Sequence, residues 1–114
     1  MIKIELKPLS VNGAYKGRKF ATSELKTYQR ELFYLLPKME VPKGNLSVKY
    51  IFGVSSSASD GDNLIKAFQD CLADTYRFND NQIYEWHVKK EIVPKGKEFI
   101  KFDINPFVSW LNMV

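Results

Sequence analysis

The sequence predicts an α+β fold, with a mixed sheet of about four strands and helices packed on it in the order β-α-β-α-β-β. Three observations lead to this prediction. Four segments alternate apolar and polar residues with a period of two, and two segments repeat apolar residues at helical spacing. The chain also has 114 residues, of which 45% are hydrophobic, which is enough for one core. We therefore expect residues 1–114 to form a single small domain.

The first half of the chain predicts a strand, a loop and a helix. Ile2, Ile4 and Leu6 alternate with charged residues until Pro8, which is typical of a half-buried strand. Residues 10–20 contain glycines and basic residues and predict an irregular loop or a short hairpin that is exposed and positively charged. A helix should then begin at a cap provided by Thr22 or Ser23 and end before Pro37. Its apolar face is expected at Leu25, Tyr28, Leu32 and Leu35.

The second half predicts a central strand, a second helix and a hairpin. Alternation over residues 46–54 indicates a strand that is largely buried, and a turn of small residues at 55–59 follows it. The second helix has its apolar face at Leu64, Ile65, Phe68 and Leu72. After a polar loop at 79–82, two alternating segments separated by a turn at 94–97 predict two strands paired as a hairpin.

Composition excludes several classes of protein. No stretch approaches the roughly 20 apolar residues that a membrane helix needs. The alternating N-terminus is unlike a signal peptide, so we expect a cytoplasmic protein. Cys71 is the only cysteine and His87 the only histidine, which disfavours a disulfide or a Cys/His zinc site. We expect Cys71 to be packed in a helix and His87 to be an exposed polar residue.

The net charge of +4 is unevenly distributed along the chain. Residues 1–50 carry 10 basic and 4 acidic residues, whereas residues 51–80 carry 2 basic and 5 acidic ones. A basic surface around an acidic cluster suits a protein that holds a polyanion and carries a cation site. The alternative is an ordinary solvated basic face.

The acidic cluster lies where the central strand turns into the second helix. Asp60 and Asp62 flank Gly61, and Lys66 and Asp70 follow Asp62 at steps of four, on one helix face. Asp80 lies in the next loop, where it can complete the cluster. Carboxylates gathered in this way are plausible ligands for Mg²⁺. By physical reasoning alone a second interpretation stays open, in which the acids cap the helix and Lys66 only forms i, i+4 ion pairs.

Three motifs resemble those of the RusA family of Holliday-junction resolvases. They are SVNGAY at residues 10–15, DGDNLIKAFQDCL at residues 60–72 and NDNQI at residues 79–83, in the family's order and over most of the chain. The chain departs from the family where Ala58 and Ser59 replace a basic residue and a proline, and where Asn79 replaces a common aspartate.

The resemblance implies an endodeoxyribonuclease that resolves four-way DNA junctions as a symmetric homodimer. It implies that Asp60, Asp62 and Asp80 are catalytic and bind Mg²⁺, with Mn²⁺ as an alternative, and that Lys66 is the essential lysine. The bound metal would activate a water that attacks the phosphate and leaves a 5′-phosphate. Asp70 and Asn63 would support the metal ligands.

The N-terminal loop is expected to contact DNA. Phosphate contacts would come from Tyr15, Lys16, Arg18 and Lys19, and Asn12 would also bind DNA, the alternative being a loop that only aids solubility. The overall expectation is a junction resolvase in a bacterial cell, encoded by the host or by a phage. Two rival hypotheses are a non-catalytic nucleic-acid-binding module and a metal nuclease that acts on other branched DNA.

Overall fold

A computed structural model of the chain describes residues 1–10, 23–57 and 61–109, except for the side chains of residues 61 and 62. Thr22 and nearly all of the predicted loop at 10–20 lie outside the described residues. Within the described part, four strands and two helices follow one another in the predicted order. They are β1 (Ile2–Ile4), α1 (Ser23–Leu35), β2 (Leu46–Val54), α2 (Gly61–Tyr76), β3 (Ile83–Ile92) and β4 (Phe99–Pro106), with a 3₁₀ turn at Asp80–Gln82.

The four strands form one mixed sheet in the order β1-β4-β2-β3. β2 pairs in parallel with β3 and antiparallel with β4, and β4 pairs antiparallel with β1. The predicted α+β class and mixed four-stranded sheet are therefore confirmed. Adjacent parallel strands need a long crossover between them, and α2 provides that connection between β2 and β3.

The predicted hairpin of β3 and β4 is wrong. The two strands lie on opposite sides of β2, so the connection at 93–98 crosses the end of β2 instead of folding back as a turn. Val93 N–H donates to the Val54 carbonyl at 2.8 Å, and Phe99 then pairs with Gly53. Because β2 is buried, its backbone groups need partners on both edges, and β3 and β4 supply one edge each.

One core lies between the sheet and the two helices. Phe68 of α2 is its centre, because its ring meets the rings of Tyr50, Phe52 and Phe102 at centroid distances of 5.3 to 5.9 Å. Burying each such side chain contributes about 1.5–3 kcal/mol. The remaining fully buried members are Leu32, Leu46, Val48, Leu64, Leu72 and Ile100. The opposite face of the sheet carries charged residues.

The C-terminal turn of α1 differs from the predicted apolar face. Leu35 is 48% exposed, and Leu36 is buried in its place. Leu36 N–H donates to the Leu32 carbonyl at 2.8 Å, so the chain keeps its helical turn for one residue beyond α1. Leu36 lies four residues after Leu32 and therefore on the same helix face. Because two leucines are adjacent at 35 and 36, the sequence alone does not show which of them is buried. Neither α1 nor α2, the two helices of the described residues, has the length and apolar character of a membrane-spanning segment.

Candidate active site

The helix face that carries Lys66 and Asp70 is open to solvent along α2. Lys66 Nζ lies 3.5 Å from Asp70 Oδ2, and the two side chains are 60% and 41% exposed. An exposed i, i+4 pair of this kind contributes little to stability, about 0–1 kcal/mol. The ion pair between Lys66 and Asp70, which the alternative interpretation of the acidic cluster predicted, is therefore present. A pair this weak leaves the lysine ammonium available for a phosphate oxygen.

The chain turns back at the end of α2, and this brings Asp80 beside the helix. Arg77 has a φ of 56°, in the left-handed region that often ends helices, and Phe78 N–H donates to the Ala73 carbonyl at 3.2 Å. This 6→1 bond is the Schellman pattern of helix termination. Glycine is the usual residue at the left-handed position, so an arginine there gives no sequence signal for the reversal.

Asp80 lies in a tightly bonded turn. The Asn79 side-chain oxygen accepts from the backbone N–H of Asn81 at 3.0 Å, and Asn79 N–H donates to Gln82 Oε1 at 2.9 Å. Gln82 Nε2 also donates to the Gly44 carbonyl at 2.9 Å. Asn79 and Gln82 thus cap the 3₁₀ turn and attach it to the loop before β2. From the sequence, Asn79 was only a departure from the family motif, and Gln82 had no predicted role.

Lys66, Asp70 and Asp80 line one recess of about 300 Å³, whose other walls are Ile65, Gln69 and Trp86. Asp70 and Asp80 also border a neighbouring polar groove of about 700 Å³ that includes Asp74 and Arg77. The structure therefore brings together three of the predicted site residues, the first and last of which are 14 positions apart along the chain. Two carboxylates beside an ammonium group can hold a cation and a phosphate in adjacent positions.

A buried hydrogen-bond pair lies behind the recess. Gln69 Oε1 accepts from the Tyr50 hydroxyl at 3.0 Å and from Trp86 Nε1 at 2.9 Å. Gln69 is 9% exposed, and burial raises the pKa of Tyr50 far above its usual range, which keeps the hydroxyl a donor. These bonds join α2, β2 and β3 directly beside Lys66 and Asp70. Gln69 and Trp86 were not predicted as site residues, because a glutamine in a helix and a tryptophan in an alternating strand give no signal of such a role.

Several predicted site residues, or their side chains, lie outside the part of the chain that the structure describes. Asp60 and the five predicted DNA contacts, Asn12, Tyr15, Lys16, Arg18 and Lys19, are outside the described residues. Asp62 belongs to the first turn of α2, but its side chain is not among those described, and Asn63 beside it is half-buried. Among the side chains that are described, no three Asp, Glu, His or Cys residues come together as a metal site.

His87 and Cys71 lie where the sequence predicted. His87 is exposed on β3, with Nε2 at 3.4 Å from Glu85 Oε1. Cys71 is buried in α2, and burial, with smaller contributions from Asp70 and Asp74, raises the pKa of its thiol to about 12. A thiol in that state is a poor nucleophile and a poor metal ligand.

Comparison with known proteins gives one family. The family model for the endodeoxyribonuclease RusA matches residues 10–101, which is most of the chain. No curated protein matches the chain. The matched span includes all of the acidic cluster and the recess on α2.

Proposed function

Because the chain belongs to the RusA family of endodeoxyribonucleases, we propose that it cuts four-way DNA junctions with the residues around the recess on α2. The observation that supports this most directly is the position of Asp80. The turn after α2 brings this carboxylate into one recess with Lys66 and Asp70, on the helix face that begins at Asp62. Nuclease chemistry needs this combination of acidic oxygens for a cation and a basic group for the phosphate.

The donor atoms fit a hard divalent cation. Asp70 and Asp80 offer carboxylate oxygens in the recess, and Asp62 precedes Lys66 by one turn on the same helix. We propose that Asp60, Asp62 and Asp80 hold Mg²⁺, with Mn²⁺ as the alternative, and that Asp70 and Asn63 support them. When bound, the ion would polarise the scissile phosphate and activate a water for attack that leaves a 5′-phosphate.

The chain's own groups bind and orient the DNA strand. Lys66 is exposed and only loosely paired with Asp70, so its ammonium can stabilise negative charge on the phosphate oxygens as it develops. The five predicted contacts of the N-terminal loop would bind further backbone phosphates, which gives affinity without sequence preference.

A four-way junction is nearly two-fold symmetric and needs two nicks for resolution. We propose that residues 1–114 act as one nuclease domain and that two copies form a C2 homodimer, which would place one recess on each of two strands. The proposed substrate is the DNA of a bacterial cell, with a host or a phage as the source of the chain.

Cleavage of a labelled synthetic junction tests the proposal. We expect paired, symmetric nicks that need Mg²⁺ and disappear with a chelator. Asp80→Asn should lower the rate by about 100-fold or more, since even residues behind metal ligands cost 10- to 100-fold. Asp103→Asn is the matched control, because Asp103 lies on β4 on the other face of the sheet and should leave the rate unchanged. Lys66→Ala and Lys49→Ala form a second pair of the same kind.

Two other results would reject the proposal. Junction binding without cleavage under any divalent metal, with Asp80→Asn binding as well as the wild type, would identify a non-catalytic binding module. Equal cleavage rates on flaps, three-way junctions and four-way junctions would instead identify a more general nuclease for branched DNA.

A further inference from the structure

Trp86 is an aromatic wall of the recess that the proposed chemistry leaves unused. It lies on β3, at the edge of the sheet, and its side chain is 47% exposed although it lines the recess with Lys66, Asp70 and Asp80. A half-exposed tryptophan next to charged groups loses part of the stabilisation that full burial would give. The exposed part of the ring is therefore available to something other than the core.

The orientation of the indole ring is fixed. Trp86 Nε1 donates to Gln69 Oε1 at 2.9 Å, and Gln69 is itself held by the buried Tyr50 hydroxyl at 3.0 Å. A ring anchored through its N–H keeps its apolar part directed away from the anchor and loses little conformational entropy when a ligand packs against it. This anchoring distinguishes Trp86 from Tyr84, which is 58% exposed two residues earlier on the same strand and does not line the recess.

Resting on the proposed nuclease function, we propose that Trp86 stacks on a nucleobase at the branch point of the DNA. The bases of an intact duplex are stacked on one another and offer no face to a side chain, whereas a branch point exposes base faces beside the phosphates. Lys66 and the carboxylates read only the backbone, which is the same in both kinds of DNA. Trp86 would therefore supply selectivity for branched over linear DNA directly beside the scissile phosphate.

Equilibrium binding to a four-way junction and to a linear duplex of the same sequence tests this, with metal chelated so that neither DNA is cut. Stacking on one aromatic ring strengthens binding by roughly 5- to 150-fold. We expect Trp86→Ala to lose about 10-fold or more in junction affinity and to leave duplex affinity unchanged. Tyr84→Ala is the matched control and should change neither.

A second pair of variants separates stacking from packing if Trp86→Ala unfolds. Both variants lose the hydrogen bond to Gln69, but Trp86→Phe keeps a flat ring and Trp86→Leu keeps only apolar volume. The phenylalanine variant should therefore retain more selectivity for the junction than the leucine variant. Equal losses on junction and duplex, equal effects of Trp86→Ala and Tyr84→Ala, or equal behaviour of the phenylalanine and leucine variants would overturn the inference.

The outcome is separable from that of the proposed function. Cleavage by the wild type that Asp80→Asn abolishes, together with unchanged selectivity in the Trp86 variants, would reject only the stacking role. Loss of selectivity in the Trp86 variants of a chain that never cleaves would support a branch-reading tryptophan and reject the nuclease.

Discussion

Gly53 on β2 is in such close contact with Phe99 on β4 that adding one methyl group should destabilise the fold. A Cβ built on Gly53 would lie 2.4 Å from both Cδ1 and Cε1 of the Phe99 ring. Carbon atoms pack best at roughly 3.5–4.0 Å, so the ring would have to move by about 1 Å. Phe99 is only 8% exposed, and the ammonium groups of Lys3 and Lys101 lie 5.1 and 5.3 Å from its centroid.

Overpacking of a buried position costs about 1–3 kcal/mol, and the restricted ring places Gly53→Ala near the upper end of that range. We expect a loss of about 2–3 kcal/mol in the free energy of unfolding, measured by urea titration with circular dichroism. The corresponding drop in melting temperature is roughly 10 °C for a chain of this size. Gly53 lies one residue before the end of β2.

The background variant Phe99→Ala isolates the clash. There the new methyl group meets no ring, so Gly53→Ala should cost close to zero, and the double-mutant cycle should give a coupling of about 2 kcal/mol. A cost of Gly53→Ala below about 0.5 kcal/mol, or the same cost in both backgrounds, would refute the close approach of β2 and β4 at this point.

Three further predictions test the fold and the site. Leu36→Ala should cost about 2–4 kcal/mol in unfolding free energy and Leu35→Ala less than about 0.5, and equal costs would contradict the observed end of α1. Asn79→Ala should lower stability by about 1 kcal/mol in urea titration through loss of the cap, and junction cleavage should fall with it; unchanged cleavage would show that the turn does not hold Asp80 in place. Burial raises the pKa of the Cys71 thiol from its ordinary value of 9.0 to about 12, so the stability contributed by keeping it neutral is complete below about pH 9 and is lost as pH rises toward 12. At pH 8 the thiol should therefore react with a disulfide reagent far more slowly in the native protein than in urea, and similar rates would contradict its burial.

The local pattern of the sequence was sufficient for the elements themselves. The period of two over residues 46–54 and the helical spacing of Leu64, Phe68 and Leu72 each depend on which face of one element is buried. That information is contained within a few neighbouring residues. The same reasoning placed Lys66 and Asp70 on one helix face and indicated that Asp80 follows in the next loop.

The pairing of strands could not be obtained in this way. β3 and β4 are neighbours along the chain and alternate like a hairpin, yet each pairs with β2. Pairing is decided by which strand has both edges buried, and that depends on where α2 crosses the sheet. Leu35 and Leu36 are likewise equally good candidates for the buried position by sequence, and only the packing of α1 against the core selects Leu36.

The candidate site likewise has features that local sequence predicts and features that depend on packing. The chemistry that is present could be predicted from residue types and spacing, namely acids and a lysine at intervals of four on a helix with a further acid in the following loop. The packed fold was needed to show that Arg77 reverses the chain, that Asn79 and Gln82 secure the turn, and that Gln69 and Trp86 complete the recess. The physical reason is that periodicity records the burial of single elements, whereas a recess is formed by side chains from several elements whose contacts exist only after those elements have packed together.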